Sequence, residues 1–132
     1  MTHAIQQFVT LKAPPRELFN TFLDARKHSA LTGAPARISR KQGARFSAFG
    51  GQLLRRNLLV VPGRLIVQSW RSAGWKASDA DSILILSFSK AKGGGRIDLV
   101  HVGVPKHDHK GVTGGWKKYY WAPWKRRLAA NP

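Results

Sequence analysis

Between residues 36 and 104 the chain reads as short stretches of alternating apolar and polar residues, cut repeatedly by glycine, and no other feature constrains the fold as much. A period of two lets one face of a sheet be buried, and glycine-marked reversals join neighbouring stretches antiparallel. Six strands are expected, over 36–41, 45–48, 52–60, 64–71, 82–90 and 96–104. The reversals fall at Gln42-Gly43, Gly50-Gly51, Pro62-Gly63, a loop over 72–81, and Gly93-Gly94-Gly95, where glycine supplies a free φ or proline a fixed one. Upstream, Ile5, Phe8, Val9 and Leu11 mark an opening strand over 4–11 that ends at Pro14-Pro15. A helix follows, with Pro15 and Glu17 in its first turn and Leu18, Phe19 and Phe22 at helical spacing; Asp24 then caps a second short helix over 25–31 that stops at Thr32-Gly33.

After Pro105 a polar loop over 106–111 leads into a helix expected over 112–129. Trp116, Tyr119, Tyr120, Pro123, Trp124 and Leu128 fall in one arc at 100° per residue, with Lys118, Lys125 and Arg126 pointing elsewhere. Pro123 removes a backbone donor in mid-helix, so a bend or tight turn is expected after Tyr119 or Trp121. The order is strand, two short helices, six strands and a long helix. It predicts an α+β fold in which a curved seven-stranded antiparallel sheet carries its helices on one face, the C-terminal helix lying across the concave side and leaving a cleft.

With 132 residues the chain closes around one core, and a single domain over 1–132 is expected. There is no cysteine, hence no disulfide framework, thiolate nucleophile or thiolate-held zinc. Purely apolar runs such as Leu58 to Val61 reach four residues, against the ~20 of a spanning helix, and the start lacks a charged segment followed by an apolar one; a cytoplasmic protein is expected. Lys plus Arg number 23 against 6 Asp plus Glu, a formal charge of +17 spread along the whole chain. Such a field draws polyanions, nucleic acid or an anionic surface among them, although zinc-finger spacing, an RNP-like aromatic strand and a basic region leading into heptads are all missing.

Four strings resemble, in order, a known family: Ala30-Leu31-Thr32-Gly33-Ala34-Pro35-Ala36; Gly43-Ala44-Arg45-Phe46-Ser47-Ala48-Phe49-Gly50-Gly51; Leu59 through Arg71 followed by Trp75; and Gly103-Val104-Pro105 with Gly115-Trp116-Lys117-Lys118-Tyr119-Tyr120-Trp121. The chain resembles the activator of heat-shock protein 90 ATPase homologues, within the START-like (SRPBCC) superfamily, from Ile5 to Leu128. The resemblance implies a helix-grip fold, often with an internal cavity for an apolar small molecule. In the eukaryotic co-chaperone this unit is the C-terminal of two domains, and the other carries most of the ATPase stimulation. Where that family often has acidic residues, after the Gly-Gly turn and around Pro62, this chain has Arg55, Arg56, Gly63 and Arg64.

Catalytic chemistry is hard to assemble. Asp79 and Asp81 fall in a loop, Asp98 alternates away from Ile97 and Leu99, and Glu17 and Asp24 belong to helix starts, so no carboxylate pair converges. His107 and His109 lie two apart in what reads as a solvated loop, with Asp108 between them and His101 on a strand, and no metal or cofactor is expected. A non-enzyme is expected. Of the aromatics Phe46, Phe49, Trp70, Trp75, Phe88, Trp116, Tyr120 and Trp124, most form core and a minority line the cleft. Trp70, His101, Trp116 and Tyr120 are the candidate ligand-binding residues. His101 shares a strand face with Ile97 and Leu99; it either orients a ligand or is a core histidine bonded to a neighbouring backbone group. Three partners follow: an apolar small molecule in the cleft, a heat-shock chaperone, or nucleic acid or an anionic surface meeting the basic edge Lys117, Lys118, Lys125, Arg126 and Arg127.

Overall fold

The structure, a computed structural model, describes residues 2–130. Its elements are β1 (Ile5–Leu11), α1 (Pro15–Phe22), α2 (Ala25–Thr32), β2 (Ala36–Arg37), β3 (Arg45–Ala48), β4 (Leu53–Val61), β5 (Leu65–Ser72), β6 (Ser82–Ala91), β7 (Gly94–Val102), α3 (His109–Gly115) and α4 (Ala122–Ala130). A π-helical turn, Trp116–Trp121, joins the last two into one continuous rod. The seven strands make an antiparallel sheet in the order β1-β7-β6-β5-β4-β3-β2, a meander closed by the first strand pairing with the last. The fold is the expected helix grip: the buried residues alternate along β5, β6 and β7 and face the helices.

Local chemistry accounts for most boundaries. Pro15 opens α1, where its missing N–H costs nothing, and Asp24 caps α2 by accepting from the Lys27 N–H at 2.9 Å. Gly33, at φ 79°, ends α2 in the left-handed conformation. The expected strand over 36–41 shrinks to two residues, because the Ser39 and Lys41 carbonyls are held by the Asn57 side chain at 2.9 and 3.1 Å instead of by a ladder.

Three expectations are corrected by packing. Only Gly93 of the expected Gly93-Gly94-Gly95 turn has a positive φ; Gly94 and Gly95 already belong to β7. Their lack of a side chain serves close approach, since a Cβ on Gly94 would sit 2.0 Å from the Leu11 carbonyl oxygen and one on Gly95 2.7 Å from that of Ala13. Second, the loop over 106–111 is ordered: Lys106–Asp108 forms a 3-10 turn and the helix starts at His109. Third, the C-terminal arc is rotated. Tyr119 is 51% exposed, while Trp121, outside the expected arc, is buried with Trp116, Tyr120 and Trp124. Pro123 leaves the Tyr119 carbonyl without its usual donor, and the preceding turn widens so that the Ala122 N–H reaches back to the Lys117 carbonyl. The expected irregularity is therefore a π turn, and the added residue changes which aromatics face the sheet.

Candidate functional site

Two buried polar networks hold the rod's aromatic side, one to the sheet and one to α1 and α2. Trp116 donates its indole N–H to His101 Nδ1 at 3.1 Å; an indole only donates, so Nδ1 is the acceptor and the His101 proton sits on Nε2. That proton goes to Ser82 Oγ at 2.8 Å, and the Ser82 hydroxyl donates in turn to the Trp70 carbonyl at 2.7 Å. The relay ties the rod to β7, β6 and β5. His101 and Ser82 are completely buried, and burial, helped by the charge of His109, pushes the His101 pKa down to about 3. A serine beside a histidine suggests a nucleophile and its base, but here the imidazole donates to the serine, the direction opposite to general-base catalysis.

The second network was not visible in the sequence. His28, on α2, is buried with Nδ1 at 2.7 Å from the Phe22 carbonyl and Nε2 at 2.9 Å from the Tyr120 hydroxyl. Burial lowers its pKa, so the ring is neutral, donating from Nδ1 and accepting the Tyr120 O–H at Nε2. Burial likewise pushes the Tyr120 pKa far up, which keeps that phenol a donor. A histidine in the polar-looking stretch Arg26-Lys27-His28-Ser29 gives no local sign of burial; its partner lies 92 residues away.

Between these networks and the open end of the sheet lies a cleft of about 390 Å³. Its sheet side is Leu53, Trp70 and Ser72, its helix side Val112, Trp116, Tyr119 and Tyr120, and Phe49 and Gln52 close one end. Phe49 holds its position at φ 54°, a conformation that a bulky side chain rarely adopts. There its ring packs edge-on against Tyr119 and Tyr120, with centroids 5.9 and 5.4 Å away. At the other end Asp108 accepts the Trp75 indole N–H at 2.7 Å, and Trp75 packs edge-on against Trp70 at 5.7 Å.

Three of the four candidate ligand residues, Trp70, Trp116 and Tyr120, therefore stand in the wall of one cleft. His101 stands behind Trp70 and Trp116 with both nitrogens engaged, by side chains and not by backbone. Asp108, Phe49 and Tyr119 join the wall without having been singled out as ligand residues. His107 is bonded to Asp79 at 2.8 Å and His109 to the His3 carbonyl at 2.8 Å, so the expected solvated loop is pinned to its surroundings. No group of three or more metal-ligating side chains gathers among the described residues.

The charge is also distributed by the fold. Arg127 donates to the Ala30 and Leu31 carbonyls at 2.7 and 2.6 Å, so it neutralises the C-terminal end of α2 and leaves the basic edge expected for partners. On the sheet's outer face Arg45 lies directly across from Arg56, and neither has a carboxylate partner among the described residues, while Arg55 and Arg71 share Asp81.

Comparison with known proteins settles the family. The family model described as Activator of Hsp90 ATPase homolog 1-like protein matches residues 12–127. The chain belongs to this family. An uncharacterized protein of Schizosaccharomyces pombe is 33% identical over 125 residues, which is 94% of this chain and 37% of that protein. The human activator of 90 kDa heat shock protein ATPase homolog 1 is 27% identical over 111 residues, 84% of this chain and 32% of that one. The chain thus spans about a third of the curated relatives it matches. Among solved structures, an HSP90 activator from Plasmodium falciparum superposes with a TM-score of 0.85 at 24% identity, covering 97% of each chain, a likeness of fold. No helix among the described residues is long and apolar enough to cross a membrane.

Proposed function

We propose that this Hsp90-ATPase-activator-like domain is a non-enzymatic binding module that holds an apolar small molecule between its sheet and its C-terminal rod. The observation that carries the reading is the cleft itself. In a core otherwise closed by aromatic packing, some 390 Å³ stays open against Trp70, Trp116, Tyr119 and Phe49. That is the size and lining of a small-ligand site. The non-enzymatic part is supported by the direction of the Ser82–His101 bond and by the engagement of Asp79, Asp81 and Asp98 in ion pairs and of Asp24 in a cap. Nile red, a neutral apolar dye, tests it. Saturable binding to the full chain is expected, and Gly115→Leu, which adds bulk at the helix side of the wall, is expected to abolish it while leaving the unfolding transition in place. Binding unchanged by Gly115→Leu, or no binding at all, would count against the cleft.

A second reading is a protein-interaction domain acting on a heat-shock chaperone, and the family match favours it, since relatives aligned over 79% and 84% of this chain are named activators of the 90 kDa heat shock protein ATPase. The measurement is the ATPase rate of the cognate chaperone with and without this chain; the absence of both stimulation and binding would remove this reading.

A further inference from the structure

We propose that the cleft selects a flat apolar molecule carrying a cationic amine, with Asp108 as its counter-charge; this rests on reading the cleft as a ligand site. Asp108 is the one ionisable carboxylate in a wall made otherwise of aromatic, aliphatic and neutral polar residues, in a chain of net charge +17. It makes no ion pair among the described residues. It stands at the N-cap position of α3 but its side chain makes no capping bond. One oxygen, Oδ2, is fixed by the Trp75 indole N–H at 2.7 Å, which orients the carboxylate without neutralising it.

The other oxygen is given room. Gly111, also in the wall, lies within the first helical turn, where glycine costs stability relative to alanine, and its φ is not in the left-handed range that would demand glycine. A Cβ there would sit 2.6 Å from Asp108 Oδ1. An oriented carboxylate with one free oxygen, in one cleft with the rings of Trp70, Trp116, Tyr119 and Phe49, matches a cation carried on an apolar body: the carboxylate takes the N⁺–H and the ring faces take the remaining positive charge. An acid of the same shape would meet Asp108 instead. The overall field of the protein works the other way, attracting anions and repelling cations, so a preference for amine over acid cannot arise from net charge.

Three probes of one shape separate these possibilities: 2-naphthylmethylamine, 2-naphthalenemethanol and 2-naphthoate, each titrated into the full chain and followed by the tryptophan indole signals in NMR. The amine is expected to bind about tenfold more tightly than the alcohol, as a charge-assisted hydrogen bond supplies, and the acid least tightly. Asp108→Asn keeps an acceptor for Trp75 and is expected to bring the amine to within about twofold of the alcohol, leaving the alcohol unchanged. Equal affinity of amine and alcohol, or an amine preference that survives Asp108→Asn, would overturn the inference and leave the cleft as an apolar site. Failure of all three probes to bind would remove the cleft reading with it. Should Asp108→Asn not fold, the order of the probes on the unaltered chain decides, an acid bound as well as the amine being the overturning result.

Discussion

Acidification should loosen this protein while Asp79 and Asp81 are still ionised, because His101 is folded as a neutral donor. Burial holds its pKa near 3, against 6.5 for a free imidazole. In the unfolded chain the ring takes up a proton as pH falls through 6.5; in the folded chain it refuses, since Nδ1 faces the Trp116 N–H and a second proton would set donor against donor. The stability contributed by the neutral ring is therefore complete above pH 6.5 and lost progressively below it, down to the folded value. From pH 7 to pH 5 this amounts to about 2 kcal/mol, and to about 5 kcal/mol in full, a large share of a domain's total. His28, whose pKa is also lowered by burial, adds in the same direction. Asp79 and Asp81 have pKa values lowered from 3.8 and lose their contribution only further down the scale, which keeps the pH 7 to 5 window clear of them. Urea unfolding of the full chain at both pH values measures the loss. His101→Gln retains a donor for Ser82 but gives up the acceptor for Trp116, so at pH 7 it is expected to cost about 1–3 kcal/mol. Its further loss on going to pH 5 is expected to shrink by about 2 kcal/mol relative to the parent. An equal pH dependence in parent and variant would refute the assignment of the buried neutral tautomer.

Tyr120→Phe leaves His28 Nε2 buried without its donor and is expected to cost about 1–3 kcal/mol by urea unfolding. Gly95→Ala, whose Cβ would meet the Ala13 carbonyl oxygen at 2.7 Å and Leu18 Cδ1 at 2.8 Å, is expected to cost about 3 kcal/mol or more. Gly43→Ala, at φ 86° with nothing within 4 Å, is expected to cost only about 1–2 kcal/mol; thermal unfolding of the pair reads the difference between collision and backbone strain. Arg45→Glu replaces a like-charge cross-strand pair with Arg56 by an opposite-charge one and is expected to raise stability by about 0.2–1 kcal/mol at low salt, an effect that added salt should erase.

Much of the architecture was legible because it is written in near neighbours. Alternation in 82–90 and 96–104 gave the long hairpin β6–β7, Asp24 and Gly33 bracketed α2, and Pro123 announced an irregular turn in the last helix. The misplaced details are those that distant atoms decide. Gly94 and Gly95 looked like a turn because glycine usually is one, and only the approach of the chain at Leu11 and Ala13 shows why they are strand residues. Tyr119 and Trp121 exchanged places because a widened turn alters the phase that ideal helix geometry assumes.

The candidate site divides the same way. Trp70, Trp116 and Tyr120 could be picked out as large aromatics on elements that face each other. Ser82, His28 and Asp108 could not, since nothing near them in the sequence states that a tryptophan, a tyrosine or an apolar wall will be their neighbour. Residue order alone determined the one-sided sheet, the aromatic rod, the family strings and a surface rich in positive charge, because periodicity and turn chemistry act over a few residues. The folded chain decided which way each buried proton points, which ring closes the cleft and where its one carboxylate stands. Those depend on contacts between segments up to about a hundred residues apart, which exist only once the sheet has closed around the helix.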